Sequence, residues 1–147
     1  MQDKITIKIK KLHKDSQLPT RATDKAACFD VYAYEPAAIT AGAVIPVKCG
    51  IAVEIPDGYF IDIRPRSGLS KTVGIANAPG TIDSDYRGEL IVLLQLNDTI
   101  QGSFKRIVKG DRIAQMRVEK IIDSELIECQ ELSTTKRGTK GFGSTGR

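Results

Sequence analysis

Apolar and polar residues alternate with a period of two along most of this chain, and that pattern admits few folds. It runs through ITIKIK (5–10), AVIPVKCGIAVEI (43–55), YFIDI (59–63), ELIVLLQL (89–96) and RIAQMRVEKI (112–121). Successive side chains of a strand point to opposite faces, so each stretch predicts a β-strand. Between the strands fall TAG (40–42), IPDG (55–58), NAPG (77–80), YRG (86–88) and VKGD (108–111). Their glycine, proline, asparagine and aspartate residues suit hairpins and short loops. An all-β sandwich or barrel follows, with at most one short helical stretch. ELIVLLQL is nearly continuous in apolar residues, which predicts a strand buried on both faces, either deep in the domain or against another subunit.

A length of 147 residues, 41% hydrophobic and 27% charged, suits one globular domain with its own core. The formal charge of +4 is unevenly spread: the start reads KITIKIKKLHK, and from Leu132 onward Lys136, Arg137, Lys140 and Arg147 meet no acidic residue. Such cationic ends favour a polyanion, of which phosphate is the simplest. Cys28, Cys49 and Cys129 are too scattered for a disulfide framework, and His13 is the only histidine. A zinc site and a histidine-dependent nucleophile are therefore excluded, and His13 reads as an exposed strand residue. No apolar run approaches the roughly 20 residues of a membrane helix, and the N-terminus lacks a signal-peptide core. The setting expected is cytoplasmic and reducing, with no membrane partner. Nucleic acid is not the expected partner either, since the chain lacks tryptophan and an interleaved basic-aromatic strand pattern.

Polar islands interrupt the strands. RPRSGLS (64–70) ends a strand with Arg66, Ser67 and Gly68, where free amides, a hydroxyl and a guanidinium can cradle phosphate; a plain polar turn is the alternative. NAPGTIDSDYRGEL (77–90) sets a turn at Pro79-Gly80 and gathers Asp83, Asp85 and Tyr86. Asp83 reads equally as a general base for water or as part of an aspartate-rich hairpin tip; Tyr86 reads as a stacking platform or as core. GDRIAQM (110–116) puts the amide of Gln115 inside the alternation. From Lys136 the tail KRGTKGFGSTGR has the composition of a flexible extension, except that Phe142 needs something to pack on. The chain thus divides into a barrel domain, 1–135, and an arm, 136–147.

Taken together and in order, AACFDVYA (26–33), RPRSGLS, NAPGTIDSDYRGEL, GDRIAQM and RGTKGFGSTG (137–146) resemble the five motifs of the trimeric dUTP pyrophosphatase (dUTPase) family. The resemblance spans Ala26 to Gly146, and RPRSGLS, GTIDSDYRG and GDRIAQ match the family pattern almost letter for letter. It implies a jelly-roll-like β-barrel and a homotrimer with the C-terminal arm exchanged between subunits. The reaction implied is hydrolysis of dUTP to dUMP and pyrophosphate, which limits uracil incorporation into DNA and supplies dUMP for thymidylate synthesis. The cofactor implied is Mg2+, with Asp30 helping to hold it through bound waters, as suits a hard cation that keeps part of its hydration shell.

The same resemblance gives Arg66, Ser67 and Gly68 the phosphates, with Gln115 assisting. Asp83 would orient and deprotonate the water that attacks the α-phosphorus. The hairpin carrying Gly80, Thr81 and Ile82 would mimic a pairing partner for uracil, with Asn77 shaping the pocket and Ile91 closing it. Tyr86 would lie under the deoxyribose, Arg137 would reach the γ-phosphate, and Phe142 with Gly143 would cover the base. Cys28 stands where the family has glycine, Val31 where it has leucine, Ser70 where it commonly has alanine, and Lys140 where it has a small residue. The related dCTP deaminase activity needs a glutamate at the position of Leu93, and leucine cannot shuttle protons. A non-catalytic binding module of the same fold is disfavoured by the joint presence of Asp83, Arg66 and Arg137.

Overall fold

The computed structural model describes residues 4–76 and 80–141. In chain order the strands are β1 (Lys8–Lys11), β2 (Phe29–Tyr32), β3 (Ala37–Thr40), β4 (Val44–Glu54), β5 (Tyr59–Arg64), β6 (Val73–Ile75), β7 (Gly80–Ile82), β8 (Glu89–Leu96), β9 (Phe104–Ile107) and β10 (Arg112–Lys120). One sheet runs β1-β4-β8-β6, a second β2-β10-β5-β7, and β3 pairs with β9. Among the described residues there is no helix. The sheets close on one apolar core, to which β4 gives Val47, Ile51 and Val53, β8 gives Leu90, Val92 and Leu94, and β5 gives Ile61 and Ile63. The result is all-β, as the period-two pattern predicts, in the jelly-roll-like barrel form that the family resemblance implies.

β8 is not enclosed deep in the domain, which is one of the two readings its sequence allows. Its apolar run alternates in burial: Leu90, Val92 and Leu94 face the core, whereas Ile91 stays 40% exposed and Leu93 half-buried. The strand is therefore not enclosed within its own chain. His13 lies beyond β1, in a turn, where its ring stacks on Tyr34 at 4.2 Å between centroids. The Tyr34 hydroxyl donates to Asp15, which also pairs with Lys109, so this turn is fastened to the loop before β10.

β4 carries a bulge that shapes the site from behind. Its pairing with β8 moves from Lys48↔Ile91 to Ala52↔Glu89, so β4 advances four residues while β8 advances two. Gly50 absorbs the extra length at φ +68°, a conformation side chains rarely adopt. Its N–H donates to the Glu89 carboxylate at 3.0 Å, and its carbonyl accepts from Leu12 at 2.9 Å. A Cβ there would meet Ser16 Oγ at 2.7 Å and the Tyr34 ring at 2.8 Å. Left-handed strain and overpacking then act together, so Gly50→Ala is expected to destabilise the fold by about 2 kcal/mol or more. Urea unfolding measures it, and a loss below about 0.5 kcal/mol would show that neither effect operates there.

Candidate active site

β7 builds the first half of the site because it is an edge strand. It pairs with β5 on one side only, through Ile61↔Ile82, Asp62↔Thr81 and Ile63↔Gly80. Its other edge offers unpaired backbone donors and acceptors. That edge borders a cavity of about 190 Å³, with Gly80, Thr81, Ile82 and Asp83 on one wall, Tyr86, Leu90 and Ile91 on the other, and Ile63 from β5. The cavity is small and mixed in polarity, suited to one flat heterocycle read by main-chain groups.

Tyr86 is not core: it stands at the surface and is held in place. The side chain is 45% exposed, yet its hydroxyl donates to the Glu89 carbonyl at 2.9 Å. The ring lies across Gly88, where a Cβ would come within 2.3 Å of the hydroxyl and 2.5 Å of Cζ. Here glycine serves close approach, not backbone curvature. Arg87 closes the same turn by donating to the Ser84 carbonyl at 2.6 Å and the Tyr86 carbonyl at 3.1 Å. Asp83 begins this turn, its carbonyl accepting from Tyr86 N–H at 3.2 Å. Its carboxylate is exposed at the cavity and accepts no hydrogen bond among the described residues.

The second half lies where β2, β10 and β5 run side by side. Gln115 is opposite Asp30 on one side and Arg64 on the other, so these side chains share the outer face of the sheet. Beyond β5 the chain turns tightly, with Ser70 N–H donating to the Arg66 carbonyl at 2.8 Å. The amides of Ser67, Gly68 and Leu69 have no partner among the described residues, the arrangement of an anion nest. Gln115 Nε2 donates to the Pro65 carbonyl at 2.8 Å, which fastens the nest to the sheet.

Asp30 is the anchor of this half. It is only 7% exposed; its Oδ1 accepts from Arg66 Nε at 2.8 Å and its Oδ2 from Arg112 Nη1 at 3.5 Å. Arg66 also donates to the Arg112 carbonyl at 3.4 Å, so its guanidinium is held at two points. Among the described residues no group of three histidine, cysteine, aspartate or glutamate side chains comes together to hold a metal. Asp30 does offer Oδ2, engaged only by the long contact to Arg112, as an acceptor for a metal-bound water. That fits a cation that keeps waters and takes its direct ligands from a phosphate chain, which is the habit of Mg2+.

The expected residues thus fall into two sets. Gly80, Thr81, Ile82, Asp83, Tyr86 and Ile91 line one cavity; Arg66 and Gly68 line another, of about 330 Å³, beside Asp30, Ser67 and Gln115. Arg137 is exposed, donates Nε to the Lys140 carbonyl at 3.0 Å, and lines neither. Asn77, Phe142 and Gly143 lie outside the described residues. Sequence reasoning missed Arg112, Lys105 and Glu89. A signal for Arg112 exists: Ile113 and Ala114 are adjacent apolar residues at the head of an otherwise alternating strand, the mark of a bulge.

Comparison with known proteins agrees with this layout. A family model described as dUTPase matches residues 14–146. The deoxyuridine 5'-triphosphate nucleotidohydrolase of Nautilia profundicola is 46% identical over 143 residues, covering 96% of this chain and 99% of the relative. That of Helicobacter pylori strain 26695 is 44% identical over 143 residues, covering 95% and 96%. Among solved structures, Staphylococcus bacteriophage 80alpha dUTPase with dUPNHPP gives a TM-score of 0.85 at 29% identity, covering 97% of this chain and 99% of that one. A mutant phage phi11 dUTPase, described with a structural Mg(II) ion, shares the fold with a TM-score of 0.75 at 24% identity, covering 86% and 98%. With nearly the whole chain matched by a family model and by relatives above two-fifths identity, this chain belongs to the dUTPase family.

Proposed function

We propose that the chain hydrolyses dUTP to dUMP and pyrophosphate, with Asp83 priming a water for in-line attack on the α-phosphorus. The observation that carries this reading is the Asp83 carboxylate, exposed and unpartnered among the described residues at the wall of a cavity edged by main-chain groups. A carboxylate with free lone pairs is able to orient a water and accept its proton. Phosphoryl transfer asks the protein mostly for alignment and for relief of developing charge. Arg66 with the nest of Ser67 and Gly68 supplies that relief at the phosphates, and Gln115 keeps the nest in place. Magnesium on the triphosphate oxygens, with Asp30 contacting its waters, would add charge neutralisation on the leaving group.

Base and sugar selection follow from rigid parts. The free edge of β7 over Gly80, Thr81 and Ile82 pairs with the uracil edge; cytosine leaves polar groups unmatched, and Ile91 limits room for a thymine methyl. Asn77 shapes this pocket. Tyr86 cannot tilt away from a ribose 2'-hydroxyl because its ring rests on Gly88 and its oxygen is tied to Glu89.

The working unit is a homotrimer in the cytoplasm, with the barrel as domain 1–135 and residues 136–147 as the closing arm. Several features support association. The two halves of the site line separate cavities of the single chain, and the outer face of β8 shows Ile91 to solvent. Regular structure ends at Lys120, after which Ile122, Leu126, Ile127 and Leu132 are exposed, Leu126 by 97%. Such an apolar, unpaired stretch needs a neighbour to cover it. It carries Asp123, Glu125, Glu128 and Glu131, whereas the open edge at β1 carries Lys8, Lys10 and Lys11. Arm exchange would bring Arg137 to the γ-phosphate and Phe142 with Gly143 over the base of a neighbouring site.

With Mg2+ present, pyrophosphate release from dUTP should exceed that from dCTP, dTTP or UTP by about a hundredfold or more, and equal rates on the four nucleotides would refute the edge-strand pocket. Asp83→Asn should lower kcat by roughly two to four orders of magnitude while a nonhydrolysable dUTP analogue still binds; wild-type turnover in that variant would remove the base. Deleting residues 136–147 should cut kcat severely and leave the elution volume of a trimer in size-exclusion chromatography; full activity without the arm would contradict its closing role.

A further inference from the structure

Glu89 opens β8 half-buried and forms no salt bridge among the described residues. Its carboxylate serves a backbone amide instead. The bulge of β4 leaves buried Gly50 without a paired residue on β8, and Glu89 Oε1 accepts from the Gly50 N–H at 3.0 Å. A buried amide lacking an acceptor is costly, so the side chain completes the bulge. Burial, and after it the Glu89 charge, push the Cys49 thiol up to about 12, so the residue before Gly50 stays neutral and sets no second anion against the carboxylate.

The main chain of the same residue holds the tyrosine platform. The Glu89 carbonyl accepts from the Tyr86 hydroxyl at 2.9 Å, and Glu89 borders the cavity that Tyr86 walls. Ala52↔Glu89 is the last pairing of β4 with β8 on this side. Without the carboxylate, the first residue of β8 is held by that pairing alone, and the carbonyl that anchors the hydroxyl can shift with it. Side chain and carbonyl together therefore tie β4 to the Tyr86 ring. The tie continues backward, since the Gly50 carbonyl accepts from Leu12 N–H at 2.9 Å.

We propose that Glu89 is a positioning residue for sugar selection: its carboxylate, seated in the β4 bulge on the Gly50 amide, fixes the carbonyl that stops the Tyr86 ring from tilting away from a ribose 2'-hydroxyl. Discrimination against ribonucleotides then depends on a side chain that need not touch the sugar. This rests on the dUTP-hydrolysing reading and deepens its account of specificity.

The test is the ratio of kcat/KM for dUTP to kcat/KM for UTP, measured on the full chain with Mg2+. Glu89→Ala should lower the ratio about tenfold, whereas Glu89→Gln, whose amide oxygen still accepts from Gly50, should stay within about twofold of wild type. A side chain that merely supports the fold would lower both rates together and leave the ratio alone. In a Tyr86→Phe background, where the hydroxyl tether is already absent, Glu89→Ala should add little further loss. An unchanged ratio in Glu89→Ala, an equal loss in Glu89→Gln, or full additivity with Tyr86→Phe overturns the assignment. Should Glu89→Ala not fold, Glu89→Met, of similar length and without an oxygen acceptor, decides by the same ratio. A wild-type protein inert toward dUTP would instead sink the underlying reading, whereas an active, discriminating wild type with an unaltered Glu89→Ala sinks only the role of Glu89.

Discussion

Crowding guanidinium groups onto one face of a sheet is electrostatically unfavourable, and the site depends on how this fold offsets it. Carboxylates are interleaved among the cations: Asp30 between Arg66 and Arg112, and Asp62 against Arg64 at 3.3 Å. Both aspartates are nearly buried, at 7% and 8% exposure, and each is bound to at least one guanidinium group. The interdependence runs both ways. Removing Asp30 would free Arg66 to swing and leave its charge uncompensated, while removing the arginines would strand a buried carboxylate. The Arg64 Nε is buried without a hydrogen-bond partner among the described residues. A phosphate chain bearing several negative charges is the complement such a face lacks.

Legibility in the sequence follows how local each feature is. Long strands such as β4, β5, β8 and β10 are readable because apolar and polar residues alternate along the sequence itself, even where, as in β4 and β5, several successive residues end up buried. The short strands β2, β3, β6, β7 and β9, of three or four residues, carry too few positions for a period to register. Their pairing is set by partners far along the chain. The two bulges illustrate the same division: Gly50 sits inside a run that reads as one uninterrupted strand, and its positive φ follows from Tyr34 and Ser16 packing where a side chain would be. Motif resemblance located Asp30, Arg66, Asp83 and Tyr86, but not that Asp30 is clamped by two arginines or that Gly88 is the bed for the Tyr86 ring. Those relations cross strands, and no spacing encodes them.

β8 shows what composition alone leaves open. Six apolar residues in a strand of eight imply two buried faces, yet one chain covers only one of them. The same applies after Lys120, where isoleucine and leucine side chains extend into solvent. Apolar surface of this extent contributes to stability only once covered, at roughly 25 cal/mol per Å². Composition therefore marks apolar surface that this chain leaves uncovered, on the outer face of β8 and after Lys120.

Three aspartates on one side of the barrel carry different duties because their surroundings differ. Asp62 is buried on the sheet face, its carboxylate bound to Arg64, and is structural. Asp30 is buried between two guanidinium groups, and its lone pairs are largely committed to keeping them in place. Asp83 differs in being placed at a turn, outside the sheet, where no cation reaches it among the described residues and solvent does. Tyr86, Gly88 and Arg87 lock that turn through backbone carbonyls and leave the carboxylate untouched. The fold thus holds Asp83 in position without occupying its lone pairs, the two conditions that the proposed general-base role requires.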